Sequence, residues 1–357
     1  MECLTSFGDT CPYNENVKDS ARLHEHPSFA HYSPLHLQRL GECLSSRRLP
    51  AGMVFFRSGD HSTDFYLVES GGLLLSSSTA FGKFHLRHLA PGEAFGATGF
   101  LDGLERDADA EAMAETEVVS FDGARLRDAC ERDGKFELAL YWSLWKILSH
   151  ELRAANTRLG QFFTTDGTSA PRPAEPPEDA DGTAPIGIGT KLEIFREQKL
   201  SAMEVNFLAS LSRKEHFEPG QTIFREGETG EKMYVVADGR VVISKTIPGV
   251  GEEALAFLGR GEYFGEMSLI DKQPRSADAR AHPASGAIVL AVPRDVVEGI
   301  LDIGKVSSIR LLKLLCGLAG KRVREIHEKL VGWFLLAGGD VQNTAAPDPE
   351  TGLSPTF

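Results

Sequence analysis

Apolar and polar positions along this chain fall into two long blocks of the same design, separated by a stretch with no pattern. The first block opens at Ser33-Pro34-Leu35, which predicts a helix N-cap followed by proline at the first helical position. Leu37, Leu40 and Leu44 then share one helical face. After Leu49-Pro50-Ala51-Gly52 the runs shorten to strand length, at 53–56, 64–68 and 72–75, with Ser58-Gly59-Asp60 and Glu69-Ser70-Gly71 as turns between them. Residues 83–89 and 117–121 predict further strands. Leu140, Leu144, Leu148, Leu152 and Leu159 predict one helix over 126–162. The block reads as a compact β unit with helices at both ends.

The stretch 164–190 breaks the pattern, with Pro171, Pro173, Pro176, Pro177 and Pro185 set among Gly, Ser, Thr, Ala and acids. It has too little apolar surface to order itself, so a flexible linker is expected. The second block then repeats the first. Ser201 follows Ser33 by 168 residues, and the same interval relates Gly220 to Gly52, Gly227 to Gly59, Tyr234 to Tyr66 and Gly239 to Gly71. One extra residue near Ile247-Pro248-Gly249 makes the interval 169, which relates Gly261 to Gly92, Phe264 to Phe95 and Arg275 to Arg106. Glycines recurring at fixed places mean recurring tight turns, hence an internal duplication. Strands are predicted at 222–224, 233–236, 241–245, 254–258 and 287–291. A helix follows over 294–336, broken near Gly304 and ended by Ala337-Gly338-Gly339. The domain reading is a loose arm at 1–32, units at 33–163 and 191–337 joined by the linker, and a disordered tail at 338–357.

Composition narrows this only a little. The chain has 357 residues, 41% hydrophobic and 25% charged, as in globular proteins. No apolar run is long enough to span a membrane, and the N-terminus has neither a basic start nor an apolar segment of signal-peptide type. Cys3, Cys11, Cys43, Cys130 and Cys316 have no metal-binding spacing, and their odd number argues for a reducing cytoplasm. A net charge of −13 argues against a nucleic-acid surface spread over the whole chain, though not against a local basic patch.

The candidate chemistry lies in Phe264-Gly265-Glu266-Met267-Ser268-Leu269-Ile270-Asp271-Lys272-Gln273-Pro274-Arg275-Ser276-Ala277. Glu266 can accept hydrogen bonds from sugar hydroxyls. Arg275 offers a planar fork of donors for phosphate oxygens, and Ser276 adds a hydroxyl beside it. Gly265, Met267 and Ala277 can lend backbone N–H groups. Such residues suit a small ligand carrying both a ribose and a phosphate. The stretch resembles the phosphate-binding cassette of the cyclic nucleotide-binding domain family, F-G-E-x-[SA]-L…P-R-[ST]-A. The resemblance covers 194–337 strongly and 33–162 weakly. It implies a mainly β fold with helices, as two tandem double-stranded β-helix (jelly-roll) domains. It also implies cAMP or cGMP as ligand, with Glu266 on the ribose 2′-OH and Arg275 on the cyclic phosphate. cAMP is favoured because the motif is like that of bacterial members.

In the first block Ala97 stands where Glu266 stands in the second, and Thr98-Gly99 replace Met267-Ser268. Arg106 survives, but Glu105 and Asp107 flank it, and two carboxylates there would neutralise the guanidinium. The first site is therefore expected not to bind a cyclic nucleotide. The family covers the base with the helix after the roll, which makes Ile326 and His327 the capping candidates. Leu311, Leu314, Leu315 and Leu318 form an apolar stripe that suits either a dimer contact or burial against the chain's own roll.

The function expected is a cytosolic regulatory protein, not an enzyme, that relays ligand binding to an unidentified effector protein or to a second copy of itself. No recognition-helix pattern follows the last helix, so direct DNA binding of the catabolite activator type is not expected. Lys321, Arg322 and Arg324 read as a solvated helix face. Arg47-Arg48-Leu49-Pro50 lies at the first strand and does not serve as a kinase inhibitor segment. Two alternatives remain. One is a duplicated scaffold that binds no ligand. The other is a cupin-like metalloenzyme, opposed by His85 and His88 pointing to opposite faces of a strand.

Overall fold

Strand alternation in each block is resolved by folding the short apolar runs into two facing sheets. The computed structural model describes residues 23–166, 208–247, 251–301 and 309–338. The first unit contains β1 (Leu44–Leu49), β2 (Val54–Phe56), β3 (Phe65–Ser70), β4 (Leu73–Thr79), β5 (Gly82–Leu89), β6 (Ala94–Phe95), β7 (Asp109–Ala112) and β8 (Thr116–Phe121). These form two antiparallel four-stranded sheets, in the orders β1-β8-β3-β6 and β2-β7-β4-β5. The second unit repeats the arrangement with β9 (Arg213–Phe217), β10 (Thr222–Phe224), β11 (Lys232–Gly239), β12 (Val241–Ile247), β13 (Gly251–Leu258), β14 (Tyr263–Phe264), β15 (Asp278–Ala281) and β16 (Ala287–Pro293). Its sheets run β9-β16-β11-β14 and β10-β15-β12-β13, strand for strand the same topology. The tandem jelly-roll expectation holds, and the repeating turns hold with it. Gly52 and Gly220 have φ of 77° and 76°, and Gly96 and Gly265 have 79° and 74°.

The duplication extends to an irregularity. In the β4–β5 pair the register steps from Leu75↔Arg87 to Ser76↔His85, leaving Leu86 as an extra residue. The β12–β13 pair steps from Ile243↔Ala256 to Ser244↔Ala254, leaving Leu255. A bulge reverses the inward and outward alternation beyond it. This corrects the expectation for His85 and His88, whose rings lie 6.3 Å apart. Among the described residues, no group of three or more His, Cys, Asp or Glu is arranged to hold a metal.

The helices are α1 (Pro34–Glu42), α2 (Ala97–Asp102), α3 (Gly123–Arg132), α4 (Gly134–Asp166), α5 (Met267–Ile270), α6 (Arg294–Ile300) and α7 (Ile309–Leu336). Ser33 caps α1 as expected, its hydroxyl accepting from His36 N at 3.2 Å. The single helix expected over 126–162 is two. Asp133 is extended and its carboxylate accepts from Lys135 N at 2.9 Å, a cap that starts α4. The expected arm is ordered from Leu23 onward. Phe29 is fully buried with its ring 5.3 Å from Phe121, and Ser143 Oγ donates to Ser28 O at 2.8 Å. The linker beyond Asp166, the Ser201 cap, the break near Gly304 and the tail beyond Gly338 lie outside the described residues.

The two rolls share one apolar core, because α4 and α7 pack on each other between them. Leu311 and Leu315 of the predicted stripe are fully buried, and Leu314 and Leu318 are partly buried against the same cluster as Leu144, Leu148 and Leu152. The stripe's helix partner is therefore α4 of this chain. Each fully buried leucine contributes about 1.5–3 kcal/mol. A smaller cluster, including Phe224, Tyr234 and Phe264, fills the second roll alone.

Candidate ligand-binding site

The cassette begins where β14 ends and Gly265 turns the chain with a positive φ. A Cβ on Gly265 would sit 2.6 Å from Arg275 Nη1, so the glycine admits the guanidinium as well as the turn. Glu266 follows at the N-cap of α5 and is 1% exposed. Its Oε1 accepts from Arg322 Nη1 at 2.7 Å, while its Oε2 is buried with no partner. Arg275 is also buried. Nη1 donates to Gly265 O at 2.5 Å, Nη2 donates to Lys232 O at 2.7 Å, and the guanidinium stacks 4.2 Å from the Phe224 ring centroid. Its Nε is buried without a partner. Burial pulls the Arg275 pKa down, with Tyr234, Glu266 and Glu228 acting in the opposite direction. The side chain stays charged, as arginine does throughout proteins.

Gly265, Glu266, Met267, Arg275, Ser276 and Ala277 all line one cavity that opens to solvent. An unsatisfied buried polar atom costs about 1–3 kcal/mol, and the residues lining this cavity carry two acceptors of that kind, Glu266 Oε2 and Asn156 Oδ1, and one donor, Arg275 Nε. They complement a ligand that brings hydroxyl donors to the carboxylate and an anion to the guanidinium.

The capping candidates separate. Ile326 lines this cavity, but His327 does not. On the adjoining face of α7, His327 points into the first unit, where its Nδ1 lies 2.9 Å from Asp107 Oδ2. Of the basic cluster only Lys321 is solvated, and the two arginines are engaged. Arg322 holds Glu266 and Tyr263 O, and Arg324 holds Asp102 at 2.7 Å and Glu105 O at 3.0 Å. Arg322 lies four residues before Ile326, and that helical spacing is the signal that could have placed it on the pocket side. Leu152 and Asn156 of α4 also line the cavity. Nothing near them in the chain marks them as pocket residues.

The first unit preserves half of this geometry. Arg106 Nη1 donates to Gly96 O at 3.0 Å and Nη2 to Asp64 O at 2.5 Å, the same posture as Arg275. Ala97, fully buried, supplies no acceptor. The expected neutralisation of Arg106 does not occur, because both flanking carboxylates turn away. Glu105 lies 3.1 Å from His61, and Asp107 faces His327 and Arg324. Burial opposes the Asp107 charge, but the His327 contact and Arg324 outweigh it and bring its pKa to about 2. Burial pushes the neighbouring Glu151 carboxyl up to about 7.

Comparison with known proteins agrees with these observations. The family described as "Cyclic nucleotide-binding domain" matches at residues 46–133 and again at 214–303. A cyclic AMP receptor protein of Thermus thermophilus is 43% identical over 82 residues, which is 23% of this chain and 38% of that protein. A cAMP-dependent protein kinase regulatory subunit of Mucor circinelloides is 31% identical over 67% of this chain and 44% of its own length. A cGMP-dependent protein kinase of Caenorhabditis elegans is 32% identical over 72% of this chain and 26% of its own. This chain thus spans less than half of each of these relatives. The regulatory domain of Toxoplasma gondii PKA, crystallised with cAMP, aligns over 84% of this chain and 95% of that one, at 20% identity and a TM-score of 0.30. A score that low carries no argument.

Proposed function

Because the chain belongs to the cyclic nucleotide-binding domain family through two tandem segments, 46–133 and 214–303, we propose that it is a regulatory protein. On this reading it binds one cyclic nucleotide, cAMP in preference to cGMP, in the second unit and passes that event to a protein partner through α7. One observation carries the reading. Glu266 and Arg275 each present a buried, unpartnered atom to the same cavity. The ribose 2′-OH donates to Glu266 Oε2, and the phosphate accepts from Arg275 Nε and Ser276 Oγ. Arg322 ties Glu266 to α7, so a shift of the carboxylate toward the sugar reaches the helix directly. The first unit binds no cyclic nucleotide and holds α7 in place. The protein works in the cytoplasm. Among the described residues no helix is long and apolar enough to cross a membrane.

Calorimetric titration with cAMP and cGMP tests this on the native chain and on Arg275→Ala. The expected result is one site per chain, with affinity reduced about tenfold to a hundredfold in the variant. No heat with either nucleotide would leave the duplicated scaffold as the better reading. Hydrogen exchange on saturation should change within α7, and unchanged exchange there would refute the relay.

A further inference from the structure

The outer turn of each cassette is gripped by one arginine from the other unit. Arg153 of α4 holds the second cassette. Its Nε and Nη2 donate to the two carboxylate oxygens of Asp271 at 2.7 and 3.0 Å, and its Nη1 donates to Pro274 O at 2.9 Å. Arg324 of α7 makes the same three bonds on the first cassette, to Asp102 and to Glu105 O. Arg324 follows Arg153 by 171 residues, and Asp271 and Pro274 follow Asp102 and Glu105 by 169. The residue held inside the grip differs. In the first unit it is Gly103, with φ 67°, and in the second it is Lys272, with φ 56°. Among the described residues Lys272 is the only non-glycine with positive φ. Glycine takes up this left-handed conformation freely, whereas a side chain strains it.

We propose that Arg153 of the first unit is a positioning residue for the second unit's ligand site, holding the strained turn at Lys272 so that Glu266 and Arg275 keep their places. This rests on the functional reading above and adds a residue outside the cassette. Arg153 lines neither cavity, so it acts through the turn and not on the ligand. The path is short. Glu266 starts α5, and Asp271 ends it, its N–H donating to Met267 O at 3.0 Å. Pro274 directly precedes Arg275, whose N–H donates to Glu228 O at 2.9 Å. A left-handed residue after a helix is usually glycine. A strained one persists only where its surroundings hold it. Gln273 N donates to Asp271 Oδ1 at 3.0 Å, but Leu104 N does the same to Asp102 at 2.9 Å beside an unstrained glycine. That local bond therefore does not answer the strain. The two-nitrogen grip of Arg153 on a carboxylate is the stronger, charge-assisted kind, and Asp271 is only 15% exposed. It spans the lysine from Asp271 to Pro274, where release would let φ turn negative and redirect the chain toward Arg275.

The test is a double-mutant cycle of Arg153→Met and Lys272→Gly on the full chain, read by calorimetry with cAMP and by hydrogen exchange without it. Thermal unfolding reports that each variant is folded. Arg153→Met alone should weaken cAMP binding about tenfold and speed exchange at the Gln273 and Arg275 amides. In the Lys272→Gly background the same substitution should weaken binding by no more than about threefold and leave exchange there close to native, because glycine keeps the turn unaided. An arginine that merely packs α4 on the second unit would give equal losses in both backgrounds. Equal losses, or no loss in Arg153→Met, overturn the inference and leave the sensor reading standing. If the native chain binds no cyclic nucleotide the sensor reading falls, and the exchange cycle alone decides whether Arg153 holds the turn, equal acceleration in both backgrounds refuting it.

Discussion

Ala97 and Glu266 show how one side chain separates two otherwise similar pockets. Both arginines keep equivalent backbone partners, so the phosphate-binding half is built in each unit, but only the second unit has a carboxylate at the position after the turn glycine. Glu266→Ala should weaken cAMP about tenfold and leave 2′-deoxy cAMP unchanged, as read by calorimetry, because the lost contact is to the 2′-OH. Glu151 makes a second prediction. Its folded pKa, about 7, is raised above the ordinary 4.5. Below 4.5 both states are protonated and the group costs nothing. As pH rises from 4.5 to 7 the unfolded chain releases the proton first, so stability falls, by about 3 kcal/mol in all. Above 7 the loss is complete. Glu151→Gln should flatten that slope in urea unfolding between pH 5 and 8. A slope unchanged from the native chain would show that Glu151 ionises freely.

Gly265 and Gly220 allow the cassette turn to be separated from turns in general. Both have positive φ, but a Cβ on Gly220 meets nothing within 4 Å, whereas one on Gly265 meets Arg275. Gly220→Ala should cost about 1–2 kcal/mol in thermal or urea unfolding and leave ligand affinity intact. Gly265→Ala should cost at least as much and also lower affinity more than tenfold, since Arg275 must leave its seat. The turn glycines were legible in the sequence because their spacing recurs in both blocks. The break between α3 and α4 falls at Asp133-Gly134, in the gap between Leu126 and the leucines that resume at Leu138, where a local cap ends one helix and starts the next. The His85 and His88 expectation failed for a related reason, since a bulge changes which face a residue takes without altering the composition of the strand.

The two units are joined through α7, which touches both cavities and has its apolar face buried against α4. Arg324 is the polar part of that join. It holds Asp102 through two nitrogens and Glu105 through its carbonyl. Arg324→Ala should destabilise the chain by about 1–3 kcal/mol and speed hydrogen exchange along α7. If exchange stays native-like, packing alone holds the helix. Asp107 sets the acid limit of the same join. Its pKa is lowered to about 2, so its stabilising contribution is present above about 3.8 and is lost as pH falls through 2.

Duplication, the strand segments and the contents of the second cassette could be read along the chain, because turns, alternation and the Glu266–Arg275 spacing are all short-range features, while the strand topology was implied by the family resemblance. The remaining assignments depend on which surfaces meet. Arg322, Asn156 and His327 lie on helices whose periodicity says only that one face is apolar. Which roll that face covers, and which pocket each neighbouring polar side chain enters, follows from the packing of α4 on α7. Those helices contact across more than 150 residues of sequence. No local pattern encodes that contact, so its consequences for the pocket emerge only when the two units close on one core.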